Sequence, residues 1–167
     1  MTDLTPLQDQ AQALIELCIA RGLTIATAES CTGGLIAGVL TEISGSSAVV
    51  DRGYVTYSNK AKNEMLGVPA TLIERVGAVS QEVALAMAVG ALAKSGADLA
   101  IAVTGIAGPT GGSAEKPVGL VHFGVMRRGN PARHAVHVFA DLDRSGVRFA
   151  TVVEALKLLH DAASRDD

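Results

Sequence analysis

Apolar positions along the chain change period several times, and each change marks an element. Ala11, Leu14, Ile15 and Cys18 recur at helical spacing, which predicts a first helix from about Pro6 to Ala20, stopped at Gly22. LTIATA (23–28) reads as a short buried strand. Leu35, Ile36, Val39 and Leu40 then mark a helix that ends before Ser44-Gly45. Ala48 to Tyr57 suits a strand, bulged near Asp51-Arg52-Gly53. Lys60 to Leu66 predicts a short helix closed by Gly67, and Val68-Pro69 forces a break.

Ser80 caps a long helix of small residues, apolar nearly all round and therefore expected to be buried. LAIAVTG (99–105) is the cleanest buried strand. A glycine-rich loop, GIAGPTGGSAEKPVG (105–119), follows it. Leu120–Met126 and Ala132–Phe139 predict a hairpin, and Asp143 opens a last helix with Phe149, Val152, Val153, Leu156 and Leu159 on one stripe. The alternation predicts an α/β fold: a single three-layer α/β/α domain over residues 1–167 with a mixed, mostly parallel central sheet. Strand order is not readable from the pattern.

Composition narrows the function classes. Half-apolar content (49%) allows a real core in 167 residues. A net charge of −3 with both signs interspersed argues against nucleic acid as a partner. No apolar run reaches the roughly 18 residues of a membrane helix, and MTDLTPLQDQ lacks the basic-then-apolar pattern of a signal peptide. The two cysteines, Cys18 and Cys31, are accordingly expected as thiols in a reducing cytoplasm.

In open α/β sheets, ligands bind beyond the carboxyl ends of strands. Three polar segments fall at such ends: TAESCTGG (27–34), TYSNKAK (56–62) and TGIAGPTGGS (104–113). Any one could be ordinary loop punctuation, since most loop hydroxyls only cap helices; the three together point to a site. Ser30 is the first candidate, as a hydroxyl at a helix N-terminus whose free N–H groups can hold a developing oxyanion. Cys31 is a rival nucleophile without a histidine nearby in sequence, and a buried thiol is its expected role. Lys62 matters only if it points into the same crevice as Ser30; Tyr57 would then lie beside it. The glycine-rich loop lacks a Lys-Ser/Thr pair, so it is not a phosphate loop of the Walker type. His134 and His137, three apart on a strand, point to opposite faces, and no structural zinc is expected.

With these runs in view, the chain resembles the CinA C-terminal domain family, whose members include stand-alone nicotinamide-nucleotide amidases. The matching runs are TAESCTGGLIAGVLTEISGSS, RGYVTYSNKAK, GAVS, TGIAGPTGGSAEKPVG and DLDRSGVR, in order across residues 27–148. The resemblance implies deamidation of nicotinamide mononucleotide to nicotinate mononucleotide and ammonia, a step of pyridine-nucleotide salvage, with no metal or other cofactor. It implies Ser30 as nucleophile with Lys62 and Tyr57 beside it. Ser46, Ser47, Thr104 and Gly105 would lie around the substrate, and Arg144 near its phosphate. Backbone N–H groups at Thr32, Gly33 and Gly34, or in the 105–112 loop, would hold the oxyanion. The alternatives are a non-catalytic nucleotide-binding module and an amidase for a different small amide. The helix over 80–93 can pack within the domain or across a dimer; the resemblance leans to a homo-oligomer.

Overall fold

The computed structural model describes residues 2–165. A 3-10 turn at Thr5–Leu7 leads into α1 (Gln8–Arg21), which buries Ala11, Leu14, Ile15 and Cys18 and stops at Gly22 in the left-handed region. The remaining elements, in order, are β1 (Ile25–Glu29), α2 (Leu35–Thr41), β2 (Val50–Val55), α3 (Asn59–Leu66), α4 (Ala70–Val76) and α5 (Gln81–Ser95). β3 (Leu99–Gly105), β4 (Leu120–Arg127), β5 (Arg133–Val138) and α6 (Arg144–Ser164) complete the chain. Helix α4 has no counterpart in the sequence reading: it is one short amphipathic segment whose sole buried residue is Ile73.

The sheet order is β2-β1-β3-β4-β5. β1 pairs in parallel with β2 and β3, whereas β4 is antiparallel to both its neighbours. Four strands therefore share one direction and β4 alone opposes them. The expected bulge lies at Asp51, where the register slips between Ile25↔Val50 and Ala26↔Arg52.

Strand alternation sorts the core into two layers. Leu99, Ile101 and Val103 face α1, α2 and α6, together with Phe123 and Val125. Ala100 and Ala102 face α3, α4 and α5. That second face is built from small residues because backbone must come close. A Cβ at Gly124 of β4 would sit 2.3 Å from the Ala84 carbonyl of α5. Likewise a Cβ at Gly90 of α5 would sit 2.0 Å from the Leu66 carbonyl, the last residue of α3. So α3, which carries Lys62, lies against α5 with no side chain between them at that point.

Candidate active site

The three segments singled out at strand ends do converge. They line one cleft of about 300 Å³ with Ser30, Tyr57, Lys62, Thr104, Gly105 and Arg144 on its walls. Ser30 follows β1 directly and extends its ladder by one bond, from its N–H to the Val103 carbonyl (3.1 Å). Alternation from Ala28 turns the Ser30 side chain to the α3 face of the sheet. There Lys62 Nζ lies 3.0 Å from Ser30 Oγ and donates to the Thr56 carbonyl at 2.8 Å. Lys62 is only 2% exposed, and neither partner is an anion. Burial therefore pushes its pKa below the ordinary lysine value.

The turn after Ser30 departs from expectation. Neither Ser30 nor Thr32 caps α2; the N-cap is Gly34, at φ 101°. Glu29, fully buried, takes that place. Its Oε1 accepts from the Thr32 hydroxyl (2.7 Å) and the Ile36 N–H (2.8 Å). Its Oε2 accepts from the Ala37 N–H (3.0 Å) and the Thr27 hydroxyl (3.3 Å). The positive end of α2 is thus already occupied by a carboxylate and is not open to substrate. Thr32 is fully buried with its hydroxyl on Glu29, and the Gly33 N–H bonds the Ser30 carbonyl at 3.0 Å. Neither lines the cleft, so the oxyanion donors assigned to Thr32 and Gly33 are not presented there.

Ser46 and Ser47 are also elsewhere. They precede β2 and line a separate shallow cleft with Asp51 and Arg52. A six-residue strand rises roughly 20 Å, which puts them at the opposite end of the sheet from Ser30. Thr104 does reach the cleft, its hydroxyl donating to the Ala78 carbonyl at 2.8 Å and pinning the GAVS segment against β3. Tyr57 is 62% exposed, and its hydroxyl accepts from Arg144 Nη2 (3.0 Å) rather than meeting Lys62. Arg144 Nη1 also donates to the Gly108 carbonyl (2.8 Å), so the arginine ties the cleft rim to the glycine-rich loop. Cys31 also borders the cleft, but burial pushes its thiol up to about 12, which keeps it protonated and argues against it as the nucleophile.

Two participants escaped the sequence reading. Glu29 lies inside the quoted motif, but a carboxylate at a strand end gives no sign of four converging donors. Arg148 of α6 donates from Nε to the Cys31 carbonyl (3.2 Å) and from Nη2 to the Thr32 carbonyl (3.1 Å). In the sequence it closes the DLDRSGVR run one helical turn after Arg144, which gives no sign that it reaches back to the turn after Ser30. His134 and His137 face opposite sides of β5 as expected: His134 Nε2 lies 2.9 Å from His122 Nδ1, and His137 lies 3.3 Å from Glu154. Among the described residues no group of three or more His, Cys, Asp or Glu could hold a metal ion, and no helix is long and apolar enough to cross a membrane.

The model of the CinA C-terminal domain matches residues 7–163. The chain belongs to that family. It is 52% identical over 138 residues to the nicotinamide-nucleotide amidohydrolase PncC of Enterobacter agglomerans, covering 83% of this chain and 84% of that protein. It is 50% identical over 155 residues to a putative competence-damage inducible protein of Symbiobacterium thermophilum, covering 89% of this chain but only 36% of that longer one. The chain thus spans about a third of that relative and most of PncC. The crystal structure of the competence/damage inducible protein CihA from Agrobacterium tumefaciens superposes with a TM-score of 0.92 at 53% identity, covering 95% of this chain and 96% of that one.

Proposed function

We propose that this chain is an amidohydrolase that converts nicotinamide mononucleotide to nicotinate mononucleotide and ammonia. The observation that carries the reading is the buried Lys62 amine within hydrogen-bond distance of the Ser30 hydroxyl, with no carboxylate to hold it protonated. The likeness to the Enterobacter protein, over most of both chains, supports the substrate.

A carboxamide is a weak electrophile with a poor leaving group, so it needs an activated nucleophile, an oxyanion site and a proton donor. Neutral Lys62 takes the Ser30 proton as Oγ attacks the amide carbon. The resulting ammonium then delivers that proton to the nitrogen as the C–N bond breaks and ammonia leaves. Water, deprotonated by Lys62, cleaves the acyl ester and frees the nicotinate group. The serine–lysine pair is an established substitute for the Ser-His-Asp arrangement. The pyridine ring would enter between Ser30 and the 105–111 loop, and the phosphate would lie at the rim beside Arg144, whose guanidinium has donors beyond those given to Tyr57 and Gly108. Such a reaction would return nicotinamide nucleotide to the acid form, a salvage step.

The test is direct: incubate the protein with nicotinamide mononucleotide and measure ammonia and nicotinate mononucleotide. Turnover that vanishes in Ser30→Ala supports the reading. Tight nucleotide binding without any product would make the chain a binding module instead.

A further inference from the structure

The nucleophile turn is gripped from the side away from the substrate, by a residue that the chemistry above does not use. Arg148 is absent from the cleft walls, although Arg144, one turn earlier on α6, stands on them. Arg148 instead gives two donors to two consecutive carbonyls, those of Cys31 and Thr32, directly after Ser30.

That pairing has a geometric consequence. In a trans peptide the C=O of one residue and the N–H of the next point in opposite directions. Holding the Cys31 and Thr32 carbonyls toward α6 turns the following N–H groups the other way, toward the Ser30 side. The Gly33 N–H shows this directly, since it bonds the Ser30 carbonyl. Gly33, at φ +60°, supplies the left-handed backbone that this turn needs. Without the guanidinium, the Cys31 carbonyl loses the side-chain donor that holds it and the Thr32 carbonyl keeps only the longer bond from the Leu35 N–H (3.3 Å), so the start of the turn loosens. A carbonyl oxygen turned to the cleft would set a negative dipole end against the charge that develops on the acyl oxygen.

We propose that Arg148 is a positioning residue for the nucleophile: it holds the Cys31 and Thr32 carbonyls on the α6 side, and so fixes the turn that sets the Ser30 hydroxyl beside Lys62 and the acyl group. The inference concerns the serine as an acylating centre and rests on the proposed reaction only for its physiological substrate. Lysine is an incomplete replacement because an ammonium on a shorter stem cannot reproduce the fork that spans two carbonyls.

The test uses a reaction that needs no natural substrate. A small alkyl fluorophosphonate labels an activated serine: an Oγ–P bond forms, the P–F bond breaks, fluoride leaves, and Lys62 takes the serine proton. The labelling rate at Ser30 is read by intact mass for wild type, Arg148→Lys and Arg148→Met, beside kcat, KM and the pH–rate profile with nicotinamide mononucleotide. Arg148→Met is expected to label about 10²-fold more slowly, the scale of a 1 Å misplacement of a reacting group. Arg148→Lys should fall between the two. KM and the apparent pKa of the base should stay put, because Arg148 does not itself line the cleft and makes no hydrogen bond to Lys62. Labelling of Arg148→Met at the wild-type rate overturns the proposal, as does a wild-type Ser30 that the reagent leaves unlabelled. A shift of the pH profile equal in both variants would show general disturbance of the cleft and overturn it too. The expected labelling pattern without turnover of the nucleotide would keep this inference and remove the amidase reading.

Discussion

Replacing Glu29 by glutamine would change one atom in a fully buried cluster, and the structure sets the size of the effect. The carboxylate receives four donors, two on each oxygen, and all four are neutral N–H or O–H groups. Whichever way the amide is turned, its NH2 must face one backbone donor, Ile36 at 2.8 Å or Ala37 at 3.0 Å. The threonine hydroxyls can rotate to accept, but a backbone N–H cannot. The variant therefore loses one charge-assisted hydrogen bond and leaves one N–H unsatisfied, together about 3–5 kcal/mol. With a urea m-value of about 2 kcal/mol/M for a domain of this size, the unfolding midpoint should fall by about 2 M. Urea titration followed by circular dichroism at neutral pH measures it, with Thr27→Val as a control that removes only the weakest of the four contacts, at 3.3 Å. A Glu29→Gln midpoint equal to wild type would refute the claim that this carboxylate caps α2.

Lys62→Arg should be almost inactive although it keeps the charge, because guanidinium does not release its proton; wild-type kcat/KM should rise with pH through an apparent pKa below about 10.4, and substantial activity in the arginine variant would mean that the base lies elsewhere. Arg144→Ala should raise KM for the nucleotide far more than for the phosphate-free nucleoside, and equal effects on both would remove its phosphate role. Burial, followed by their mutual contact and Lys116, holds the His122 pKa below its usual value, and burial does the same for His134. Such groups bind protons more readily when unfolded, so their contribution is present above about pH 6.5 and is lost as pH falls through that value toward the folded pKa. A His122→Gln/His134→Gln variant should accordingly lose less Tm than wild type on acidification over that window; parallel Tm curves would count against the pair.

The elements legible in the sequence are those whose signal is local. LAIAVTG has turn residues on both sides and appears as β3 over the same seven residues. Ser80 and Asp143 cap α5 and α6 through their own side chains, as their spacing predicts. The meeting of Ser30 with Lys62 was also foreseeable, because both stand just past the carboxyl ends of adjacent parallel strands. What could not be read is long-range or directional. A glutamate at a strand end does not announce that four donors will converge on it. Arg148 reaches its carbonyls across more than a hundred residues of sequence. Ser46 and Ser47 carry the right chemistry in a matching motif, yet they enter β2 rather than leave it, and the direction of a strand decides which end of the sheet a residue serves. Tyr57 falls at the right end, but its hydroxyl belongs to the rim.

The bare contact between Gly90 and the Leu66 carbonyl makes reach itself a property of an empty position. Lys62 stands one turn before Leu66 on the same helix, so the depth to which α3 sinks onto α5 fixes how far the amine extends over the sheet. A single methyl at position 90 would begin 2.0 Å from that carbonyl and must lift α3 by about 1 Å, a misplacement that can cost about 10²-fold in rate even from far outside the chemistry. Gly90→Ala should thus slow turnover without touching any polar group, and unchanged turnover would show that α3 yields somewhere other than at its lysine. Atoms that are not there calibrate the distance between the Ser30 hydroxyl and the Lys62 amine.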